Sequence, residues 1–432
     1  MTHTISPRVL AFRAAALALA ATLAGCGGSS SDPTAMTMAV IGDMPYGSSP
    51  SDTTEFDANP DFIRAINADP DVSMVMHAGD IHSGKQYCTQ DYDLAIAQQW
   101  SAFRVPLVYT PGDNEWADCH KKKEGGGEYS SSTGDIVYVQ NNGAPASYAG
   151  GDPVANLGLV RSIFFATPGQ TLGKAMAVHS QATEYDPAHP TDSAFVENVW
   201  FEQQQVLFAT ANMPGGSNNG TAVWYKTPAT SPAQSLEVAN RTGATLRWLQ
   251  TAFAQAKAHH DAALVLMIQA DMWDLDGNTL ADGTLTEYKQ YIDLIASLAA
   301  EFGKPVLLIN GDSHFYRSDN PLVKGADCHV EVPSSPIGAR SVQTTTCADS
   351  VAHGALNGIT DVADPYLIVE DAGNAGYVPS YAVPNFHRVV VHGNATASNT
   401  DKEYLKLTVD TSVDAPASEN AFGPFAWTRV QP

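Results

Sequence analysis

Five apolar runs in this sequence end in polar clusters of one kind: VIGDMPY, VMHAGDIH, VYTPGDNE, LVLMIQAD and LLINGDSH. A single Gly-Asp after a strand is an ordinary turn or helix N-cap. Turns do not require an Asp at five strand ends, nor a His beside the last. Carboxylates gathered at one place repel and raise one another's pKa values, and a bound cation relieves that. The chemistry implied is a metal centre built largely from oxygen donors.

For these clusters to meet, the apolar runs must lie side by side as strands with their carboxyl ends on one edge, where α/β sheets hold their ligands. The chain has the elements for this. TMAVIGD (37–43), VSMVMHAGD (72–80), VPLVYTPGD (105–113), ALVLMIQAD (263–271) and PVLLINGDSH (305–314) read as buried strands. Between them, PDFIRAINA (60–68) reads as a helix with Pro in its first turn, and DYDLAIAQQWSAF as a second. Further helices are expected near 154–165, over about 240–259 and over 286–302, with strands near 196–213. The tail runs RVVVHG and EYLKLTVD read as antiparallel strands, and residues 121–152, rich in Gly and Ser without a period, as an inserted loop. One α/β domain over 37–432 fits this order.

Composition narrows the setting. Hydrophobic residues make up 44% of the 432, enough for a large core, and 46 acids against 23 bases give a formal charge of −23. Nucleic acid is excluded as an expected partner because the basic footprint is missing. Arg8 and Arg13 precede the run AAALALAATLAG, too short to span a bilayer, which ends in LAGC at Leu23–Cys26. This is similar to a bacterial lipoprotein signal over 1–25, with lipidation at Cys26 and a Ser-rich tether over 26–36; ordinary signal cleavage nearby is the other reading. Either way the protein is expected to be exported. A Gly after Cys26 implies outer-membrane or periplasmic placement in a Gram-negative cell, with membrane contact only through the lipid. Four cysteines then remain, and an even number in an exported chain suggests two disulfides. Of three pairings, Cys88–Cys119 and Cys328–Cys347 join neighbours in sequence.

In this order, GD at Asp43, GD at Asp80, GDNE at Asp113–Glu115 and GDSH at Asp312–His314 resemble the motifs of the calcineurin-like metallophosphoesterases. Those motifs are D-x-H, G-D, G-N-H-D/E, a lone His after a strand, and G-H-x-H. The resemblance spans roughly 37–411 and looks closest to a bacterial exported branch that shares GDNEW, NMPGGSNN (Asn212–Asn219) and GD-S/T-H. It implies a four-layer αββα sandwich of two mixed sheets flanked by helices. It also implies two divalent cations and hydrolysis of a small phosphate monoester or diester by a metal-bound hydroxide.

Carried over by position, Asp43 matches a ligand of the first metal, Asp80 the bridge, and His314 the second His of G-H-x-H. Asp113, Gln269 and Asp312 stand where the family has Asn, His and His. Pro45 stands where the first motif has a His. The oxygen-rich set favours Mn²⁺, Mg²⁺ or Ca²⁺ over Zn²⁺, with Fe compatible. Asn114 occupies the place of the family's catalytic His and can donate a hydrogen bond but not a proton. His82 and His120 are the candidates to replace it, each equally readable as a solvated loop residue, while His77 is expected to pack inside. Asn218 and Asn219 are read as substrate contacts or as shapers of a Gly-rich turn. Glu115 and Trp116 are open between packing and support of the ligands. DLDGN (274–278) reads as an acidic turn or stray calcium loop, and no GxGxxG, Walker loop, GxSxG or HExxH occurs. The alternative from another class is a non-catalytic surface lipoprotein that keeps the fold and binds metal or another ligand.

Overall fold

Strands and helices alternate along the chain and sort into two large sheets. The computed structural model describes residues 35–432 except 122–126, 131, 134, 139, 142–143, 147–151, 222, 225–229, 274–283, 324–325, 333–340, 347–380 and 394–401. The leader, Cys26, DLDGN and Cys347 therefore lie outside the described residues. Residues Thr34–Pro432 form one compact unit.

The first sheet runs in the order Ala421–Phe422, Phe425–Val430, Tyr404–Asp410, Ala35–Ile41, Val72–His77, Pro106–Tyr109, Leu172–Gly173. Three of its strands, Ala35–Ile41, Val72–His77 and Pro106–Tyr109, are parallel. The second sheet has nine strands. Its parallel centre is Val206–Thr210, Ala263–Met267, Val306–Asn310 and Phe386–Val390. Antiparallel strands flank that centre on both sides, so both sheets are mixed.

Side chains alternate across each strand, and both faces of both sheets are covered. Met38 and Val40 meet Phe208, Val265 and Leu307 between the sheets. From the same strand, Ala39 and Ile41 face the other way, onto Phe62, Ile96, Trp100 and Val160 of helices Thr54–Ala68, Gln90–Trp100 and Pro153–Phe164. Leu264 and Leu266 turn outward onto Trp248 and Ile292 of helices Pro232–His259 and Thr284–Phe302. The layers are helix, sheet, sheet, helix. Near-continuous apolar runs follow from that double coverage.

Several expected boundaries move. The first strand begins at Ala35, inside the end of the expected tether. The first helix starts at Thr54, so Pro60 lies inside it; the Phe56 carbonyl that Pro60 leaves without an amide accepts from Gln99 Nε2 at 3.2 Å instead. The helix expected from 240 starts at Pro232, capped by Ser231 on the N–H of Gln234. Of the two tail runs, Tyr404–Asp410 is antiparallel to both neighbours, whereas Phe386–Val390, in the second sheet, is antiparallel to Arg317–Asp319 on one side and parallel to Val306–Asn310 on the other. The inserted segment is not structureless, holding the short hairpins Gly127–Ser130 with Asp135–Tyr138 and Gln140–Asn141 with Ala144–Pro145.

Candidate metal centre

Strand register levels the ends. Ile41 pairs with His77 and His77 with Tyr109, while Met267 pairs with both Thr210 and Ile309. The polar clusters begin within a few residues of these pairs, so both sheets deliver them to one edge. The chain turns sharply there. Asp43, Asp80, Asp312 and His314 all have positive φ, at 52°, 59°, 77° and 65°. Left-handed backbone is uncommon away from glycine, costs on the order of 1–3 kcal/mol, and concentrates at functional sites. The glycines before the acids answer a different need. A Cβ on Gly112 would run into the carboxylate of Asp80, and one on Gly311 into that of Asp43. Two of the Gly-Asp pairs thus make room for the acids of two others, which is a physical reason for glycine at 112 and 311.

The carboxylates are buried. Asp43 is fully so; its Oδ1 accepts the Asp312 N–H at 2.9 Å, whereas its Oδ2 has no hydrogen-bond partner. Asp80 Oδ2 accepts from Tyr46 Oη at 2.9 Å, Asn114 Nδ2 at 3.0 Å and Gln269 Nε2 at 3.0 Å, and Oδ1 accepts the Asn114 N–H at 3.2 Å. His314 Nε2 lies 3.7 Å from Asp43 Oδ1 and 3.3 Å from Tyr46 Oη. One ligand atom each of Asp43, Asp80 and His314 lies within 4.8 Å of the others. Asp312 accepts from Gln269 Nε2 at 3.4 Å and from the Asp271 N–H at 3.0 Å. Asp113 faces Lys121, whose Nζ is 3.3 Å away and also pairs with Asp118.

Burial raises the pKa of every one of these acids, and their neighbours' charges raise it further. Asp43 is pushed up to about 8, first by burial, with Glu115 and Asp271 adding to it. Asp80 rises through burial and then Asp113, Glu115, Asp43 and Asp312; Asp113 and Asp312 rise for the same kinds of reason. His314 is lowered to about 4 by burial and by His392, so at neutral pH its imidazole presents a lone pair. An orphaned buried carboxylate oxygen, a second carboxylate and a neutral imidazole within reach of one another fit a divalent cation.

Other expected positions fall differently. Gln269 does not offer its oxygen to a cation: Oε1 accepts the Gly215 N–H, which turns the amide nitrogen toward Asp80 and Asp312. An N–H can only donate, so Gly215 fixes the direction of that amide. His82 and His120 are not solvated. His82 Nδ1 meets the Ser83 carbonyl at 3.0 Å and packs on Tyr92; His120 lies beside the Cys88–Cys119 disulfide. Burial lowers them to about 4 and about 3, so both are neutral imidazoles rather than imidazolium ions at neutral pH. His77 is buried as expected, its Nε2 3.0 Å from the Met44 carbonyl.

The two asparagines of the Gly-rich loop part company. Asn218 is committed to Arg241, Thr242 and Tyr288 and shapes the loop. Asn219 is equally buried, but neither atom of its side-chain amide has a hydrogen-bond partner. A Cβ on neighbouring Gly216 would meet Lys121, Asp113 and Asn219, so these three converge on one spot. Glu115 acquires a role: it accepts from the Ile81 N–H at 3.1 Å, the Gly112 N–H at 3.0 Å and Tyr109 Oη at 2.7 Å, clamping the Asp80 and Asp113 loops together. The Cys88–Cys119 disulfide, the pairing expected from sequence proximity, joins the same loops, and Trp116 packs on Trp224. Cys328 is disulfide-bonded, but its expected partner Cys347 lies outside the described residues. The motif pattern does not single out Tyr46 or Lys121. Tyr46 stands inside VIGDMPY, so a polar-tipped aromatic beside the first acid was the signal available.

A match in known families agrees with this geometry. Residues 36–222 match the family model for calcineurin-like phosphoesterases. No curated protein matches. Among solved structures, purple acid phosphatase PPD1 from yellow lupin (Lupinus luteus) seeds is similar at 12% identity and a TM-score of 0.35, over 87% of this chain and 50% of that one. The chain thus spans about half the length of that relative. The acids of the expected motifs thus stand at one edge of two face-packed mixed sheets, and the segment that carries Asp43, Asp80 and Asp113, residues 36–222, is the part of the chain similar to the calcineurin-like phosphoesterases.

Proposed function

We propose that this protein hydrolyses a small phosphate monoester or diester with a divalent cation held by Asp43, Asp80 and His314. The observation that carries the reading is the unpartnered Oδ2 of Asp43, buried among acids whose pKa values are all raised. A cation bound there would supply Lewis-acid polarisation of a phosphoryl oxygen and a nucleophilic water at neutral pH. Mn²⁺, Mg²⁺ and Ca²⁺ are favoured over Zn²⁺ because carboxylate oxygen dominates the donor set. A second cation on Asp113 and Asp312 would require the Gln269 amide to turn against Gly215.

The chain's own residues do the rest. Tyr46 and Asn114 hold the Asp80 carboxylate in one orientation by donating to the same oxygen. Lys121, its pKa raised by Asp118 and Asp113 against the cost of burial, stays charged and stands with the unpartnered Asn219 amide where phosphoryl oxygens would be received. With His82 and His120 buried and neutral, neither candidate histidine among the described residues can protonate a leaving alkoxide, so esters with good leaving groups should react best.

That missing acid also favours the second reading, a binding protein that keeps the fold without catalysis. Phosphate release from generic monoesters and diesters with Mn²⁺, Mg²⁺ or Ca²⁺, beside Asp80→Ala, separates the two: wild type active and the variant inert supports hydrolysis, and both inert with every cation supports binding alone. We further propose export with a lipid anchor at Cys26, on the strength of the LAGC stretch. Membrane fractionation of wild type beside Cys26→Ala tests it, and equal solubility of both would discard the anchor.

A further inference from the structure

A second set of ligand types gathers where helix Pro232–His259 ends. His259 is its last residue, His260 takes left-handed φ at 61°, and Asp261 returns its N–H to the Ala256 carbonyl at 3.0 Å. Glu202 reaches the same place from strand Val199–Gln203. One ligand atom from each of Glu202, His259 and Asp261 lies within 4.8 Å of the others. His259 Nδ1 pairs with Glu202, and an exposed pair of that kind is an ordinary surface contact worth little. Asp261 is what such a pair does not need. It is only 5% exposed, its Oδ2 has no hydrogen-bond partner, and its carboxyl faces that of Glu202.

The surroundings sharpen the difficulty. The negative end of a 28-residue helix points at the same spot, which favours a cation there. Burial first, and then Glu202, push Asp261 up to about 7. Glu202 and His259 also line a cleft of about 580 Å³ whose other walls include Glu184, Asp186 and Trp200, with no Lys or Arg among the lining residues. The imidazoles of His259 and His179 are the groups lining the cleft that could offset the facing carboxylates.

We propose that Glu202, His259 and Asp261 form a binding site for a borderline divalent transition metal ion of the Zn²⁺ class. One imidazole and two carboxylates suit such an ion, and three protein ligands leave a coordination position open toward the cleft. The ion would fasten the end of helix Pro232–His259 to strand Val199–Gln203 and to the start of strand Ala263–Met267. It is a different site from the edge of Asp43, Asp80 and His314 and does not depend on the hydrolytic reading.

The test uses the full chain carrying Asp43→Asn, stripped with chelator and titrated with Zn²⁺ by calorimetry and with Co²⁺ by visible absorption. Adding His259→Ala, at an exposed position, should remove one equivalent or weaken it at least about tenfold, and should abolish the Zn²⁺-induced rise in Tm. Asp261→Asn and Glu202→Gln, each close in shape to the native side chain, should do the same. Binding, Co²⁺ spectrum and Tm shift unchanged in all three variants would overturn the site, as would a parent that binds neither ion.

Discussion

Two buried acidic regions of this molecule differ in one respect, their counter-charge. At the edge of the sheets, Asp43, Asp80, Asp113 and Asp312 stand with Lys121 as the nearby cation, and burial raises the pKa of all four. Just behind, Asp271 and Asp319 are as deeply buried, but Arg388 grips Asp319 through two nitrogens at 2.8 and 2.6 Å and also pairs with Asp271, with Arg317 3.6 Å from Asp271. Burial would raise Asp319, yet Arg388 and Arg317 outweigh it and hold the carboxyl below its ordinary value. In the rear region both acids have their counter-charge as folded, although the buried Arg317 guanidinium itself has no hydrogen-bond partner. The edge is complete only with something positive added.

The largest effect should come from breaking the rear region. Arg388→Met would leave Asp319 and Asp271 buried without their main partner, at a cost of about 3–5 kcal/mol read from denaturant midpoints. Asp43→Asn should behave in the opposite sense. Its Oδ1 can still accept from the Asp312 N–H, and the substitution removes the cost of either protonating or ionising a buried carboxyl. In chelator the variant should keep wild-type stability or gain about 1 kcal/mol, while cation affinity falls by more than the about 10–100-fold that loss of an outer partner costs. A variant that is both less stable and fully metal-binding would undo the contrast.

The two regions should also titrate with opposite sign. The folded protein keeps a proton on Asp43 up to about pH 8, where an unfolded Asp with its ordinary pKa of 3.8 has lost it. In chelator its contribution to stability therefore declines as pH rises from about 4 and levels off above about 8. Asp319, held below its ordinary value of 3.8 by Arg388 and Arg317 against burial, contributes stability that is present above 3.8 and is lost as pH falls through its depressed value. Saturating Mn²⁺ should abolish the first slope and leave the second, as Tm across pH 2–9 would reveal; identical profiles with and without Mn²⁺ would count against the contrast. Tyr46→Phe should be mildest, taking one of three donors from Asp80 Oδ2 for about 1 kcal/mol or less. Stability in chelator and Mn²⁺ affinity measure it together, and a loss as large as that of Asp43→Asn would give Tyr46 a greater part.

Much of this was legible in the sequence for a definite reason. Apolar runs ending in Asp encode both the strand and its ligand, so the edge follows from one pattern, whereas the two face-packed sheets were implied by the family resemblance. Less legible was whatever depends on a distant loop. The direction of the Gln269 amide is set by Gly215, 54 residues away, and the contrast between Asn218 and Asn219 by Arg241 and Thr242. His82 and His120 look like loop residues in sequence, yet the disulfide and the Tyr92 ring cover them. Lys121 sits in a charged run typical of solvated loops, and only the Asp113 turn shows it to be buried.

The central claim is that the edge exchanges protons for a cation. Calorimetric titration of the chelator-stripped protein with Mn²⁺ at pH 7, repeated in buffers of different ionisation enthalpy, counts the protons released per ion bound. The account predicts binding with release of about one proton or more, lost in Asp43→Asn. Binding without proton release, or no binding at all, would contradict it.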